Sequence, residues 1–260
     1  MEKKRVALCL FGVIPRSIKY TYRSIQNNII DELSKYYYVD IIVFNLNTEN
    51  EPVDTVILNQ DDVKIISNIN QYEEEYQTDV DKKIKAQYGE VNGPILKMRS
   101  DYPPIQIQNA ARQMYSEYRV GQMLNQVKEK YATSIVCGPD YFILNPIDIN
   151  HVKNTIENTN LIYTSKVNVG NGYTNGFYIG HPQPMVKLLS RYSVINKMFP
   201  TNKDYEYTVK YMIENEKITH NVTGIVFFKV RANKYVARQG IMISKYFDMN
   251  YDNLNSLLNI

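Results

Sequence analysis

Nowhere in the 260 residues do eighteen apolar residues run together, so no stretch has the length of a helix that crosses a bilayer. The opening "MEKKRVALCLFGVIPRS" has a basic lead, but Pro15 and Arg16 cut its apolar run too short for a secretory signal. The expectation is an unprocessed cytoplasmic protein with no transmembrane segment. A charge excess is also missing: 30 Lys and Arg stand against 27 Asp and Glu, a net +3. That balance lacks the concentrated positive field of sequence-independent nucleic-acid binding, so no nucleic-acid partner is expected, whereas a basic pocket for a small anion is compatible with it. Only two cysteines occur, Cys9 and Cys137, each inside an apolar run. They read as small buried hydrophobes in a reducing compartment, with a disulfide or a shared metal as the alternative. Tryptophan is absent beside 23 Tyr, which suggests AT-rich coding and says nothing of chemistry.

What is present begins as strand, turn, helix, strand. "RVALCLFG" (5–12) is a short apolar run closed by Gly12 and Pro15 and reads as a buried strand. From Ser17, a fair N-cap, Ile18, Tyr22, Ile25, Ile29 and Leu33 recur at helical spacing. "VDIIVFNLN" (39–47) supplies the next strand, and parallel strands joined this way need helical cover. Residues 48–100 are less regular, with a third strand read at "VKII" (63–66), an acidic run at Glu73–Glu75 and a mobile loop before residue 104. A long helix over about 105–130 leads into the strand "TSIVC" (133–137). Later strands are read at 161–165, 176–180 and 224–230, with helices at 184–196 and 203–216. No repeat or low-complexity linker divides the chain. The expected architecture is one α/β domain over 1–260, with a nucleotide-type half (1–150) and an acceptor-type half (151–260).

Three short stretches carry candidate chemistry. The turn "LFGVIPRS" (10–17) lies between a strand and a helix start, where N–H groups and Arg16 can meet an anion. With a single Gly it lacks the G-x-G-x-x-G of dinucleotide-binding folds, which argues against a nicotinamide-dependent oxidoreductase. "CGPDYF" (137–142) sets Asp140 at the C-terminal end of a central strand, the edge where open α/β sheets bind ligands. A carboxylate there can hold Mg²⁺ or Mn²⁺, or can simply stabilise a Pro turn. "NVGNGYTNGFYIG" (168–180) gathers Gly and Asn for close backbone approach to a polyhydroxylated ligand, or forms an ordinary turn. Asp204 and Glu206 open a helix, where acids are favoured in any protein. Lys82, Lys83 and Lys85 read as a solvated face, while Lys97 and Arg99 flank a loop able to close over a diphosphate. His181 and His220 are candidate third metal ligands, though a lone His is more often structural.

Taken in order, "RQMYSEYRVGQMLNQVKEKY", "SIVCGPDYFILNPIDI", "NGYTNGFYIGHPQPM" and "DYEYTVKYMIEN" resemble a group of small GT-A-type nucleotide-sugar glycosyltransferase-like proteins of large DNA viruses, algae and bacteria. The resemblance runs over most of residues 5–240 and is weakest at 48–104; its motifs are short, and their order carries it. It implies a GT-A-like, Rossmann-like fold: a mixed, mostly parallel central sheet flanked by helices, with a smaller strand-containing acceptor half. It implies that Leu10, Phe11, Gly12, Val13 and Arg16 surround the nucleotide, with Lys97, Arg99, Gly138, Pro139 and Asp140 at the diphosphate. Asp140 stands at the place of the metal acid, with His220 as a further metal candidate. Asn175, Gly176, Phe177 and Tyr205 fall beside sugar and acceptor, and Asp204, Glu206 and Asn175 are the catalytic candidates. Gly138 stands where that group has an Arg and where many transferases have a second Asp; Asn175 stands where the pattern has Asp. The implied cofactor is Mn²⁺ or Mg²⁺, with metal independence open. The implied partners are a UDP- or GDP-linked sugar donor and a glycan acceptor, in the host cytoplasm if the source is viral. The rival reading is a non-catalytic glycan-binding or assembly protein on a decayed transferase fold.

Overall fold

The computed structural model describes residues 3–93, 96, 101–167, 170, 172–198 and 204–236. Along the chain run β1 (Arg5–Gly12), α1 (Ile18–Ile25), α2 (Asp31–Ser34), β2 (Tyr38–Asn47), β3 (Ile69–Tyr76), α3 (Gln77–Tyr88) and α4 (Pro104–Val127). They are followed by β4 (Thr133–Cys137), β5 (Tyr141–Ile143), α5 (Ile149–Glu157), β6 (Leu161–Ser165), β7 (Phe177–Gly180), α6 (Pro182–Leu189) and α7 (Ile195–Met198), then α8 (Tyr205–Asn215), β8 (Thr219–Thr223) and β9 (Phe227–Lys229).

Seven strands form one sheet in the order β3-β2-β1-β4-β7-β6-β8, and β5 pairs with β9 in a small second sheet. All neighbours in the large sheet are parallel except β7, which runs against both β4 and β6. The architecture is mixed α/β with a mostly parallel central sheet. The two halves expected from the sequence share that sheet, joined where β4 meets β7.

The unbroken apolar runs of β1 and β4 follow from cover on both faces. Val6, Leu8, Leu10, Ile135 and Cys137 enter one cluster with Ile18, Ile25, Ile29 and Leu33 of the first helical segment. Ala7, Cys9, Phe11 and Val136 enter the other, with Ala110, Met114 and Leu124 of α4 and Leu188 of α6. Cys9 and Cys137 therefore face opposite sides of the sheet, both fully buried and free, so they form no disulfide. Burial pushes the Cys9 thiol up to about 12, which leaves it a protonated core residue.

The largest departure from the sequence reading is at the sheet's outer edge. Residues 63–65 belong to a tight 3-10 turn (Gln60–Ile65) that Ile66 closes, and the third strand is instead the acidic stretch 69–76. Alternate residues of β3 face inward, and two of the acids there meet Arg119 of α4. Its guanidinium bonds Glu75, reaches Glu73 Oε2 at 2.7 Å, and lies over the Phe44 ring. Tyr115 donates to Glu75 at 2.8 Å, and Lys83 of α3 does so at 2.5 Å. A charged edge strand resists pairing with other chains, and because Gln71, Glu73 and Glu75 take three of its four inward positions it carries no hydrophobic alternation. The "THNVT" stretch, absent from the sequence reading, becomes edge strand β8 beside β6. The helix read at 184–196 is broken: α6 passes through a 3-10 turn (Ser190–Val194) into α7.

Arg119→Met should strand Glu73, while Glu75 keeps Lys83 and Tyr115, and lower unfolding stability by about 1–3 kcal/mol. Adding Glu73→Gln should recover part of that loss in urea denaturation, because it removes the stranded charge.

Candidate functional site

The carboxyl ends of β1, β4, β6 and β8 and the start of β7 meet at one edge of the sheet. There the turn after β4 is held by its own main chain. Gly138 N–H donates to Gly176 O at 3.0 Å and Tyr141 N–H to Gly138 O at 3.3 Å. The Thr21 hydroxyl donates to Pro139 O at 2.6 Å, and Val230 N–H to Asp140 O at 2.8 Å. With the backbone satisfied this way, the Asp140 carboxylate is not needed for the turn. Among the described residues it accepts no hydrogen bond and pairs with no cation at contact distance, and it is only partly buried. The Pro-turn explanation of Asp140 is thereby replaced.

The charges around Asp140 come from distant segments. β9 pairs with β5 in the register Tyr141↔Lys229, and the Lys229 Nζ lies 5.3 Å from the Tyr141 ring centroid. Asp140, Arg231, Glu206 and Arg16 are the charges that act on that ammonium; burial lowers its pKa, and the two acids oppose the shift. Arg16 is committed elsewhere: it forks onto Asp54 with Nε at 2.8 Å and Nη2 at 2.9 Å, and Asp54 Oδ2 also accepts from Ala232 N–H at 3.1 Å. The 10–17 turn is similarly occupied. Ile14 N–H donates to Asn45 Oδ1, Arg16 N–H to Val13 O and Ser17 N–H to Ile14 O. Ser17 makes no side-chain cap; its hydroxyl reaches Val230 O at 2.5 Å and ties β9 to α1.

The first turn of α8 also bears on Lys229, through the charge of Glu206. Asp204 caps the helix, its Oδ1 accepting from Tyr207 N–H at 3.1 Å. Beside Gly170, whose φ is +46°, Asp204 Oδ2 and Glu206 Oε2 both lie within 3.1 Å of the point a Cβ would take. Burial raises the Glu206 carboxyl above the ordinary carboxylate range; Asp204 adds to the rise, and its own backbone N–H, Lys229 and Arg191 oppose it. The loop before β7 is pressed onto this turn: Tyr173 N–H donates to Glu206 O at 3.1 Å.

The structure thus brings Asp140, Arg16, Glu206 and Asp204 to one edge, and assigns other expected residues to the framework. Leu10, Phe11 and Phe177 are buried in the core, and Val13 packs against it, so Leu10, Phe11 and Phe177 offer a ligand only backbone. Gly12 has φ +101° and open space around its Cα. Asn175 is buried: its side-chain oxygen accepts from Arg191, and its carbonyl accepts from the Tyr141 hydroxyl. Gly176 N–H donates to the Tyr178 hydroxyl at 2.8 Å. Arg191 has no exposed surface and also bonds Glu117 at 2.6 Å and Thr208 at 2.9 Å. Tyr205 donates to Gln106 O, joining α8 to α4. His220 stacks on Tyr173 with centroids 3.8 Å apart and meets Thr164 Oγ1 at 2.9 Å; burial lowers its pKa. His181 caps α6. Lys82, Lys83 and Lys85 pair with Asp79, Glu75 and Glu90 on the surface. Lys97 and Arg99 lie outside the described residues.

The implied divalent ion is a poor fit to this edge. No group of three His, Cys, Asp or Glu among the described residues is arranged to hold one. Asp140 stands as the single acid of its turn, and a Cβ at Gly138 would sit 3.1 Å from Asp140 Oδ1, leaving little room for a second acid. The sequence reading missed Lys229, Arg231 and Asp54. A lone lysine after two Phe in "GIVFFKV" is the signal that points to the first.

Neither a protein-family model nor a curated protein matches this sequence. Among solved structures, the chain is similar to the apo crystal structure of mouse xyloside xylosyltransferase 1, at 9% identity over 84% of each chain with a TM-score of 0.45. A likeness at that score carries no argument. The functional reading therefore rests on the site itself. No helix among the described residues is long and apolar enough to cross a membrane.

Two outcomes follow from this geometry. Burial resists ionisation of Asp54, but the hydrogen bonds from Arg16 and Ala232 and the Arg16 charge outweigh it and hold the carboxyl below its usual range. Such a group adds stability above its unfolded pKa of about 3.9 and loses it as pH falls through the folded value. Asp54→Asn should therefore denature at lower urea than the parent at pH 7, and the gap should close in acid; a gap independent of pH refutes the linkage. Gly172→Ala would put a Cβ 1.9 Å from Glu206 O, so the loop must leave α8. Hydrogen exchange at Tyr173 N–H should then accelerate at least about tenfold, which corresponds to about 1.4 kcal/mol of local opening free energy.

Proposed function

We propose that this chain is a glycosyltransferase of GT-A-like architecture that moves a sugar from a nucleoside diphosphate sugar to a hydroxyl of a glycan. The observation that carries the reading is Asp140: a carboxylate on a turn fixed from three sides, its oxygens uncommitted among the described residues, at the ligand edge of a mostly parallel sheet. Its free oxygens suit hydrogen bonds from ribose or sugar hydroxyls. The mixed sheet and the small β5–β9 pair agree with the architecture that the sequence motifs imply.

The chemistry asked of the site is limited. The acceptor oxygen forms a bond to the anomeric carbon while the bond from that carbon to the phosphate oxygen breaks, and the electron pair leaves with the diphosphate. Charge grows on the leaving group, so fixed positive charge near it lowers the barrier. In an inverting displacement the acceptor proton goes to a base, and Glu206 is the candidate. It is partly buried, its pKa is raised towards working pH, and Asp204 sits beside it. Asn175 and Gly176, whose backbone groups bond Tyr141, Tyr178 and Gly138, would hold the shape of the sugar side rather than touch the sugar.

Asp140→Ala should abolish sugar transfer and donor hydrolysis while leaving the melting temperature within a few degrees. Glu206→Gln should lower kcat by about 10²–10⁴ and remove the acidic limb of the pH profile. Failure of every UDP- and GDP-linked sugar to bind in a thermal-shift panel would overturn the transferase reading. Binding with no sugar release would favour the glycan-binding alternative.

A further inference from the structure

Lysine is an unusual choice for the position that Lys229 holds. In β9 alternate residues share a face, so Lys229 lies on the side of Phe227, which is fully buried and stacks on Tyr141 with centroids 4.1 Å apart. The main chain on either side is fixed: Phe227 and Lys229 sit in the β5 register, Val230 N–H bonds Asp140 O, and Val230 O accepts from Ser17. The ammonium is thus carried by a rigid strand to the sheet's ligand edge. It makes no hydrogen bond or ion pair among the described residues, where its one contact is the Tyr141 ring, and the charges of Asp140 on the β4 turn and Glu206 on α8 both act on it. A partly desolvated cation held only against an aromatic face is costly to keep, and groups of this kind concentrate where a ligand completes them.

Resting on the transferase reading, we infer that Lys229, with Arg231 beside it, supplies the positive charge for the donor's diphosphate in place of a divalent ion. Asp140 then serves as the counter-charge that keeps the ammonium oriented. The same arrangement works against a metal. An ion at Asp140 would meet one carboxylate and the fields of Lys229, Arg231 and Arg16, where a hard cation wants several oxygen ligands. Arg16 contributes field more than contact, since its fork is closed on Asp54.

The test is calorimetry on the full chain, with inorganic pyrophosphate as the probe, in EDTA and then in Mn²⁺. Pyrophosphate should bind in EDTA, and Mn²⁺ should tighten it by less than about threefold. Lys229→Met should weaken binding at least tenfold while Lys229→Arg stays within a few-fold of the parent; Lys229→Gln serves if the Met variant does not fold. Binding that requires Mn²⁺, binding untouched in the Met or Gln variant, or no pyrophosphate binding at all overturns the inference. UDP, GDP and their sugars run in parallel separate the two claims. Sugar release that needs Mn²⁺ and survives Lys229→Met keeps the transferase and removes Lys229. Metal-free binding through Lys229 with no nucleotide sugar bound or consumed keeps the anion site and removes the transferase.

Discussion

Strand β4 is buried on both faces until Cys137, and the chain that leaves it must satisfy its peptide groups without water. It does so by bonding to three separate segments, α1 through Thr21, the β7 loop through Gly176 and β9 through Val230, and to itself through Tyr141. Those main-chain bonds do more than close a turn. They fix the relative positions of the first helix, the loop before β7 and the small second sheet, and every charged group of the site is mounted on one of these or braced against it. A carboxylate released from structural duty is the by-product.

A second, interior constraint supports the first. Arg191 and Glu117 form an ion pair with no solvent exposure, bound to Asn175 and Thr208. Burial acts against the Arg191 charge, and Glu117 and its hydrogen bond outweigh it, so the guanidinium stays ionised. Such pairs seldom add net stability over an apolar packing, but breaking one partner is expensive. Here the pair joins α4, the segment after α6, α8 and the loop before β7, all of which must agree before Glu206 can face Lys229.

The legible part of the fold was the part with periodic apolar residues. β1, β2, β4 and the first helix were plain because burial on both faces leaves continuous or helical hydrophobic runs. β3 was hidden because Glu73 and Glu75 take two of its inward positions and their partner, Arg119, is more than forty residues away. β8 was hidden because an edge strand with exposed Thr, Asn and Val has no core face to announce it. The site divides the same way. Asp140 stood out as an acid breaking an apolar strand, whereas Lys229 acquires meaning only when β9 folds back onto β5. Arg16 was located correctly at the helix entrance, but its commitment to Asp54 is tertiary and invisible in a linear reading.

The reversal of β7 has a consequence for how such a chain can change. Because β6 leaves the sheet and β7 enters it at the same edge, the ladder sets their register, while the described residues of the connection between them are clamped: Tyr173 bonds α8, Asn175 bonds Arg191, and Gly176 O accepts from the β4 turn. A change of length there would leave the strands paired but would be felt at once by α8, by the buried ion pair and by the turn that carries Asp140. The sheet is therefore a fixed chassis, and this connection is the coupling that keeps its fittings in step.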